Sequence, residues 1–95
     1  MQVRLEDLPG KSILVGITDY DTEGRAVSQE QFAGRVERTE PTFILIRLSN
    51  GSLRSIPADL SSTRPAPPGT YRLRASGEMI ENPDYLSVWN RTFDD

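Results

Sequence analysis

Four carboxylates and a glycine have the spacing of a calcium-binding loop: Asp19, Asp21, Glu23, Gly24 and Glu30. Counted from the first of them, acids stand at positions 1, 3, 5 and 12 and the glycine at position 6, and such oxygens can surround one calcium ion. In calcium-binding loops with this spacing, a helix precedes the first residue that binds the ion. Residues 12–18 are instead rich in β-branched side chains, which favour a strand. The segment therefore predicts a solvated hairpin loop, with a calcium site as the alternative.

Arginine is the second residue type whose placement suggests chemistry. Residues 25–74 carry eight arginines against four acids, although the whole chain has a formal net charge of −3. Between two apolar runs, Asn50-Gly51 predicts a type I′ turn, which places Arg47 opposite Arg54. Like charges directly opposite each other on two strands destabilise the sheet, so we expect another group to compensate for them. We therefore predict a basic surface for a phosphate or a carboxylate-rich protein, built from five arginines: Arg35, Arg47, Arg54, Arg72 and Arg74.

The alternative for these arginines is pairing within the chain, with Glu37, Glu78 or the acidic ends. Nucleic acid is the less favoured anionic partner, because the chain has only one lysine and a negative net charge. The chain contains neither histidine nor cysteine, so the commonest general base and the best nucleophile are absent. These features predict a protein that is not an enzyme and needs no cofactor.

Short alternating runs predict the elements that must position these residues. In residues 12–18 the side chains of Ile13, Val15 and Ile17 share one face of a strand. The further strands predicted are residues 30–38, the two arms of the Asn-Gly hairpin, residues 70–76 and residues 87–93, with a long connection at 19–29. Single helical turns are expected at 57–60 and at Asn82-Pro83-Asp84, and a Pro-rich connecting loop at 57–69.

These elements predict one all-β domain over residues 1–95. We expect a small, strongly bent antiparallel sheet, or an SH3-like or Sm-like barrel, of five to six strands with one or two helical turns. The order of strand, long loop, strand, tight hairpin, helical turn and strand resembles SH3-like and Sm-like barrels. The closing residues Gly77-Glu78, residues 82–86 and Trp89 resemble the ends of small uncharacterised bacterial proteins, a resemblance that implies no activity.

We predict a non-catalytic binding module whose partner is another protein. The predicted roles are those of an adaptor, an inhibitor or a toxin-neutralising protein. An Sm-like or SH3-like nucleic-acid-binding domain is the alternative, and calcium binding at residues 19–30 is the third. Phe43–Leu48 is apolar on both faces, so the Pro-rich loop, the C-terminal segment or a second copy of the chain must cover it. No apolar run approaches the ~20 residues of a membrane span, and we expect a cytoplasmic protein.

Overall fold

A computed structural model describes residues 3–92 and confirms the all-β fold class. Two single 3₁₀ turns, Leu5–Asp7 and Leu60–Ser62, accompany the strands. The eight strands are β1 (Ser12–Tyr20), β2 (Ala26–Thr39), β3 (Phe43–Leu48), β4 (Leu53–Pro57), β5 (Thr63–Pro65), β6 (Thr70–Arg72), β7 (Met79–Glu81) and β8 (Tyr85–Thr92).

Six strands form one sheet in the order β4-β3-β2-β1-β8-β5, and β6 pairs with β7 in a separate hairpin. The strands β1 to β4 follow one another as an antiparallel meander. The last strand, β8, returns to the middle of the sheet and pairs with β1 in parallel. The sheet is therefore mixed, where an antiparallel one was predicted, and the expected barrel is not closed.

The core lies on the face of the sheet that carries Ile13, Val15 and Ile17, as predicted from their alternation. We name this the inner face and the opposite one the outer face. Phe32 and Val36 from β2, the isoleucines of β3 and β4, and Leu8 complete the buried cluster. Because β1 has neighbours on both sides and cover on the inner face, it is the most buried strand of the sheet.

Hydrogen bonds join Ser12, the first residue of β1, to Asp84, the residue before β8. Asp84 accepts hydrogen bonds at Oδ2 from the backbone N–H of Ser12 (2.9 Å) and from its hydroxyl (3.1 Å). These bonds hold the pKa of Asp84 below its ordinary value. The helical turn predicted at Asn82-Pro83-Asp84 is wrong, because the carboxylate binds Ser12 and Asn82 has a left-handed φ of 47°.

The connection between β1 and β2 is much shorter than the predicted loop at 19–29. Both strands continue into that segment, and only residues 21–25 lie outside them. Asp21 stabilises this turn, since its Oδ1 accepts from the N–H groups of Glu23 and Arg25, each at 2.9 Å. The prediction failed because residues 26–31 are all exposed and mostly polar, so no alternation of apolar residues marks them as a strand.

The β3–β4 hairpin has a loop one residue longer than the predicted type I′ turn. The N–H of Gly51 donates to the carbonyl of Leu48 (2.9 Å), and the N–H of Leu48 donates to the carbonyl of Ser52 (2.9 Å). Gly51 has a φ of 87°, which fits a turn followed by a one-residue bulge at glycine. The register shifts by one residue, so the predicted pairing of Arg47 with Arg54 is wrong. Arg47 pairs with Leu53 instead.

The β6–β7 hairpin lies on the outer face of β1 and β2. The N–H of Arg74 donates to Oε1 of Gln31 on β2 (2.8 Å). Leu14, which points to the outer face, and Leu73 of the hairpin are both buried and lie outside the main cluster. The predicted strand at 70–76 ends at Arg72, because the chain turns back there into β7.

The Pro-rich connection at 57–69 contains a helical turn, which was predicted at a different position, and a short strand, which was not predicted. The helical turn predicted at 57–60 lies at Leu60–Ser62, where the side chain of Asp59 accepts from the N–H of Ser61. The edge strand β5 follows and ends at Pro65. A proline cannot donate to a further strand, so its place at the end of an edge strand is consistent with its chemistry.

Gly34 lies where β3 passes closest to β2. A Cβ atom at this position would stand 2.4 Å from the carbonyl oxygen of Arg47 and 2.8 Å from Cγ2 of Ile46. Such distances are too short for any side chain. The close approach reflects a strong bend of the sheet, which turns β3 and β4 towards the inner face, and only glycine permits it.

We therefore expect Gly34→Ala to destabilise the fold by about 1–3 kcal/mol, as overpacking does. Gly16→Ala is the matched control in the neighbouring strand, because a Cβ there meets no atom within 4 Å. The control should be neutral or stabilising by up to ~1 kcal/mol. Urea unfolding monitored by circular dichroism measures both, and equal midpoints for the two variants would contradict the proposed close approach.

Candidate functional site

Two arginines face each other across β2 and β3 on the outer face of the sheet. They are Arg35 and Arg47, which are directly paired in the register of the two strands. A like-charge pair was predicted, but its second member is Arg35 and not Arg54. Nε of Arg47 donates to Oε1 of Glu37 (2.8 Å), as the internal-pairing alternative expected, and Nη1 of Arg35 donates to the carbonyl of Gly10 (2.6 Å). These contacts hold the two guanidiniums in place despite their repulsion.

The arginine pair lines a groove of about 450 Å³ between the sheet and the β6–β7 hairpin. We name it the arginine groove. Ala33 and Leu48 contribute apolar surface from the sheet, and Ile80 contributes it from the hairpin. Glu78 also lines the groove, so one carboxylate stands among the two guanidiniums. The groove combines fixed positive charge with apolar area, which suits a ligand that carries both an anion and an apolar part.

The two arginines predicted on residues 70–76 lie on the β6–β7 hairpin. Arg72 and Arg74 are exposed, and neither forms an ion pair within residues 3–92. Arg74 lines a second groove of about 410 Å³ on the other flank of the hairpin, whose sheet side includes Gly16 and Gln31. Arg35 and Arg47 therefore line the first groove and Arg74 lines the second, and Arg72 lines neither of the two.

Arg54 is the predicted arginine that the structure separates from the others. It is paired with Ile46 in the register and lies on the inner face. Its two terminal nitrogens donate to the two carboxylate oxygens of Glu30, at 2.8 and 2.6 Å. Its guanidinium carbon also stands 4.4 Å from the centre of the Phe32 ring, a cation–π distance. The hydrogen bonds between Arg54 and Glu30 lower the pKa of Glu30 and raise that of Arg54.

A second ion pair on the inner face joins β1 to β8 and was not predicted. Arg91 donates from Nε to Oδ1 of Asp19 (2.7 Å) and from Nη2 to Oδ2 (3.1 Å). The hydroxyl of Ser28 donates to the same carboxylate (2.8 Å). The bond from Arg91, followed by that from Ser28, holds the pKa of Asp19 below its ordinary value. Parallel pairing of residues 72 positions apart leaves no local signal by which a sequence could reveal this contact.

The four carboxylates of the calcium alternative do not converge. Asp19 and Glu30 bind arginines on the inner face, and Asp21 accepts from the backbone of its own turn. Glu23 forms an ion pair with Arg25. Among the residues that the structure describes, no three acidic side chains are arranged to hold a metal ion. The spacing that suggested a calcium loop belongs to a strand–turn–strand segment, which places alternate residues on opposite faces.

Comparison with known protein families, with curated proteins and with solved structures finds no match to this chain. Within residues 3–92, no helix has the length and apolar character to cross a bilayer.

From the inner-face ion pairs we predict how the free energy of unfolding changes at acidic pH. Because the pKa values of Asp19 and Glu30 are lowered by folding, their contribution is fully present above the ordinary carboxyl pKa of about 4. It decreases as the pH falls through that range and is lost below the folded-state pKa values. Urea midpoints measured from pH 7 to pH 2 should therefore fall less steeply for Asp19→Asn/Glu30→Gln than for the unchanged chain.

The matched control for this experiment is Asp7→Asn/Glu81→Gln, which removes two exposed carboxylates that form no ion pair among the described residues. Its acid dependence should follow that of the unchanged chain. Equal slopes for all three proteins would show that the inner-face ion pairs do not govern acid stability.

Proposed function

We propose that this protein is a non-catalytic binding module whose partner is another protein, bound through an acidic segment in the arginine groove. The observation that carries the proposal is the cross-strand pair of Arg35 and Arg47 beside apolar surface from Ala33, Leu48 and Ile80. Two guanidiniums fixed side by side form a preorganised receptor for carboxylates. The apolar surface adds contact area that a bare ion pair lacks.

The guanidiniums of the groove keep hydrogen-bond donors for a ligand. Each arginine side chain has five N–H donors. Within the described residues Arg47 uses Nε and Nη1, towards Glu37 and Gly51, and Arg35 uses Nη1 towards Gly10. The remaining N–H groups suit a partner carboxylate. Arg72 and Arg74 add positive charge on the hairpin, Arg74 at the second groove, whereas Arg54 pairs with Glu30 on the inner face.

Charge favours a protein partner over nucleic acid in this groove. Glu78 lines it together with the arginines, and its carboxylate repels a continuous phosphate backbone. The net charge of the chain is −3, which also opposes the accumulation of phosphates that drives non-specific binding of nucleic acids. A folded partner that offers only one or two carboxylates beside an apolar side chain meets the arginines and brings less negative charge near Glu78 than a phosphate backbone does.

The test is capture of a partner by immobilised protein from a lysate of its own host, with and without nuclease. Arg35→Glu/Arg47→Glu reverses the charge of the groove. Arg38→Glu/Arg64→Glu is the matched control, because it changes net charge equally at exposed positions that do not line the groove. We expect a captured protein that survives nuclease, that the control retains, and whose affinity falls at least tenfold in the groove variant.

Other outcomes of this experiment contradict the proposal. Loss of all captured material on nuclease treatment favours the nucleic-acid alternative. Undiminished capture by the groove variant places the binding surface elsewhere. Circular dichroism of both variants should match that of the unchanged chain, which ensures that a loss of binding reports on the groove.

A further inference from the structure

Gly16 lies in the middle of β1, and the packing of the fold does not require a glycine there. It is not among the glycines with a positive φ, and its pairing with β2 and β8 has no bulge at this residue. A Cβ atom at Gly16 would meet no atom within 4 Å, whereas one at Gly34 would clash with β3. Glycine inside a strand weakens it, and besides bulges and bends it marks places where a ligand or another backbone approaches closely. The space above Gly16 is therefore open to a group from outside the chain.

The missing side chain of Gly16 leaves a trough on the outer face of the sheet. Gly16 pairs with Gln31 of β2 on one side and with Val88 of β8 on the other, and paired residues point to the same face of a sheet. Thr18 is the next residue of β1 on this face and pairs with Gln29. All five residues line the second groove of about 410 Å³, a volume typical of small-molecule sites.

The loop of the β6–β7 hairpin supplies one wall of the second groove and its positive charge. Arg74 and Ala75 line the groove from this loop, and the guanidinium of Arg74 forms no ion pair within residues 3–92. The backbone N–H of Arg74 donates to Oε1 of Gln31 (2.8 Å). The amide nitrogen of Gln31, with two N–H donors, is thus the end of that side chain left for a ligand. The hydroxyl of Thr18 is a further donor.

The acidic residue that lines the second groove does not oppose an anion. Glu30 contributes to the lining, but its side chain lies on the inner face, where both carboxylate oxygens accept from Arg54. The arginine groove differs in this respect, because Glu78 lines it from the hairpin. One guanidinium beside an amide and a hydroxyl suits a ligand with a single negative charge. A carboxylate meets this requirement, since its two oxygens accept hydrogen bonds from such donors.

We propose that the second groove binds a small molecule that carries one carboxylate on a flat, apolar group. The carboxylate accepts hydrogen bonds from the guanidinium of Arg74 and from the amide of Gln31. The flat group lies on the backbone of β1 at Gly16, between Val88 and Ala75. A ring can approach a strand this closely only where no side chain rises from it, which accounts for the glycine.

Benzoate is the probe for this site, because it has one carboxylate on one flat ring. A ligand of this size should bind with a Kd of about 1–10 mM. Titration of the isotope-labelled full chain, followed by nuclear magnetic resonance, should give saturable shifts of the backbone amide of Gly16 and of the side-chain amide of Gln31. Benzamide, which has the same ring without the charge, should bind roughly tenfold more weakly.

Two variants separate the floor of the groove from its charge. Gly16→Val fills the trough, and the free space at this position together with the strand propensity of valine should preserve the fold. Its urea midpoint should not fall, while benzoate binding should fall by roughly tenfold or more. Arg74→Gln should weaken binding by a similar factor. Arg72→Gln is the matched control, because Arg72 is exposed on the same hairpin and lines neither groove.

Three outcomes overturn the proposal. They are the absence of saturable shifts at several times the expected Kd, equal binding by Arg74→Gln and Arg72→Gln, and undiminished binding by folded Gly16→Val. The shifts at Gly16 should persist in Arg35→Glu/Arg47→Glu, because those residues do not line the second groove. The two grooves are thus tested separately, and failure of one proposal leaves the other standing.

Discussion

The close passage of the β3 backbone over Gly34 is the constraint on which the rest of the structure depends. Because no side chain stands between Gly34 and the carbonyl of Arg47, the sheet bends sharply between β2 and β3. The bend directs Ile44, Ile46 and Ile56 into one cluster with the apolar residues of β1. It also brings Arg54 from β4 over the ring of Phe32 and onto Glu30, although a whole strand separates β4 from β2 in the sheet.

The arginines are divided between the two faces by a single residue in the β3–β4 loop. With Gly51 in the left-handed region, the loop takes one residue more than a type I′ turn, and Arg54 points inward while Arg47 points outward. Arg54 then packs on Phe32 and pairs with Glu30 on the inner face. Arg47 lies opposite Arg35 in the arginine groove. One choice of turn thereby assigns a structural role to one arginine and leaves its neighbour available for a partner.

The sequence predicted the features that depend on local alternation and missed those that depend on distant pairing. The all-β class and the inward face of Ile13, Val15 and Ile17 follow from a period of two along one strand. The Asn-Gly pair fits both a two-residue loop and a longer one with a glycine bulge, so it could not fix the register. The parallel pairing of β1 with β8, and with it the contact of Arg91 with Asp19, has no sequence pattern of its own. The two grooves exist because the β6–β7 hairpin packs on the outer face of the sheet. That packing is a tertiary contact, which no local sequence pattern predicts.

The parallel pairing has a consequence for how the chain folds. The strands β1 to β4 form by successive local hairpins, whereas β8 must join β1 across a loop of most of the chain, as the bonds between Ser12 and Asp84 over 72 positions show. Contacts between residues so distant in sequence slow folding. The chain must lose conformational entropy in closing the long loop before the contact stabilises the fold. During synthesis on the ribosome, β1, the most buried strand of the sheet, therefore has no neighbour on one side until β8 has emerged. That interval is when the nascent chain is most vulnerable to association with its neighbours.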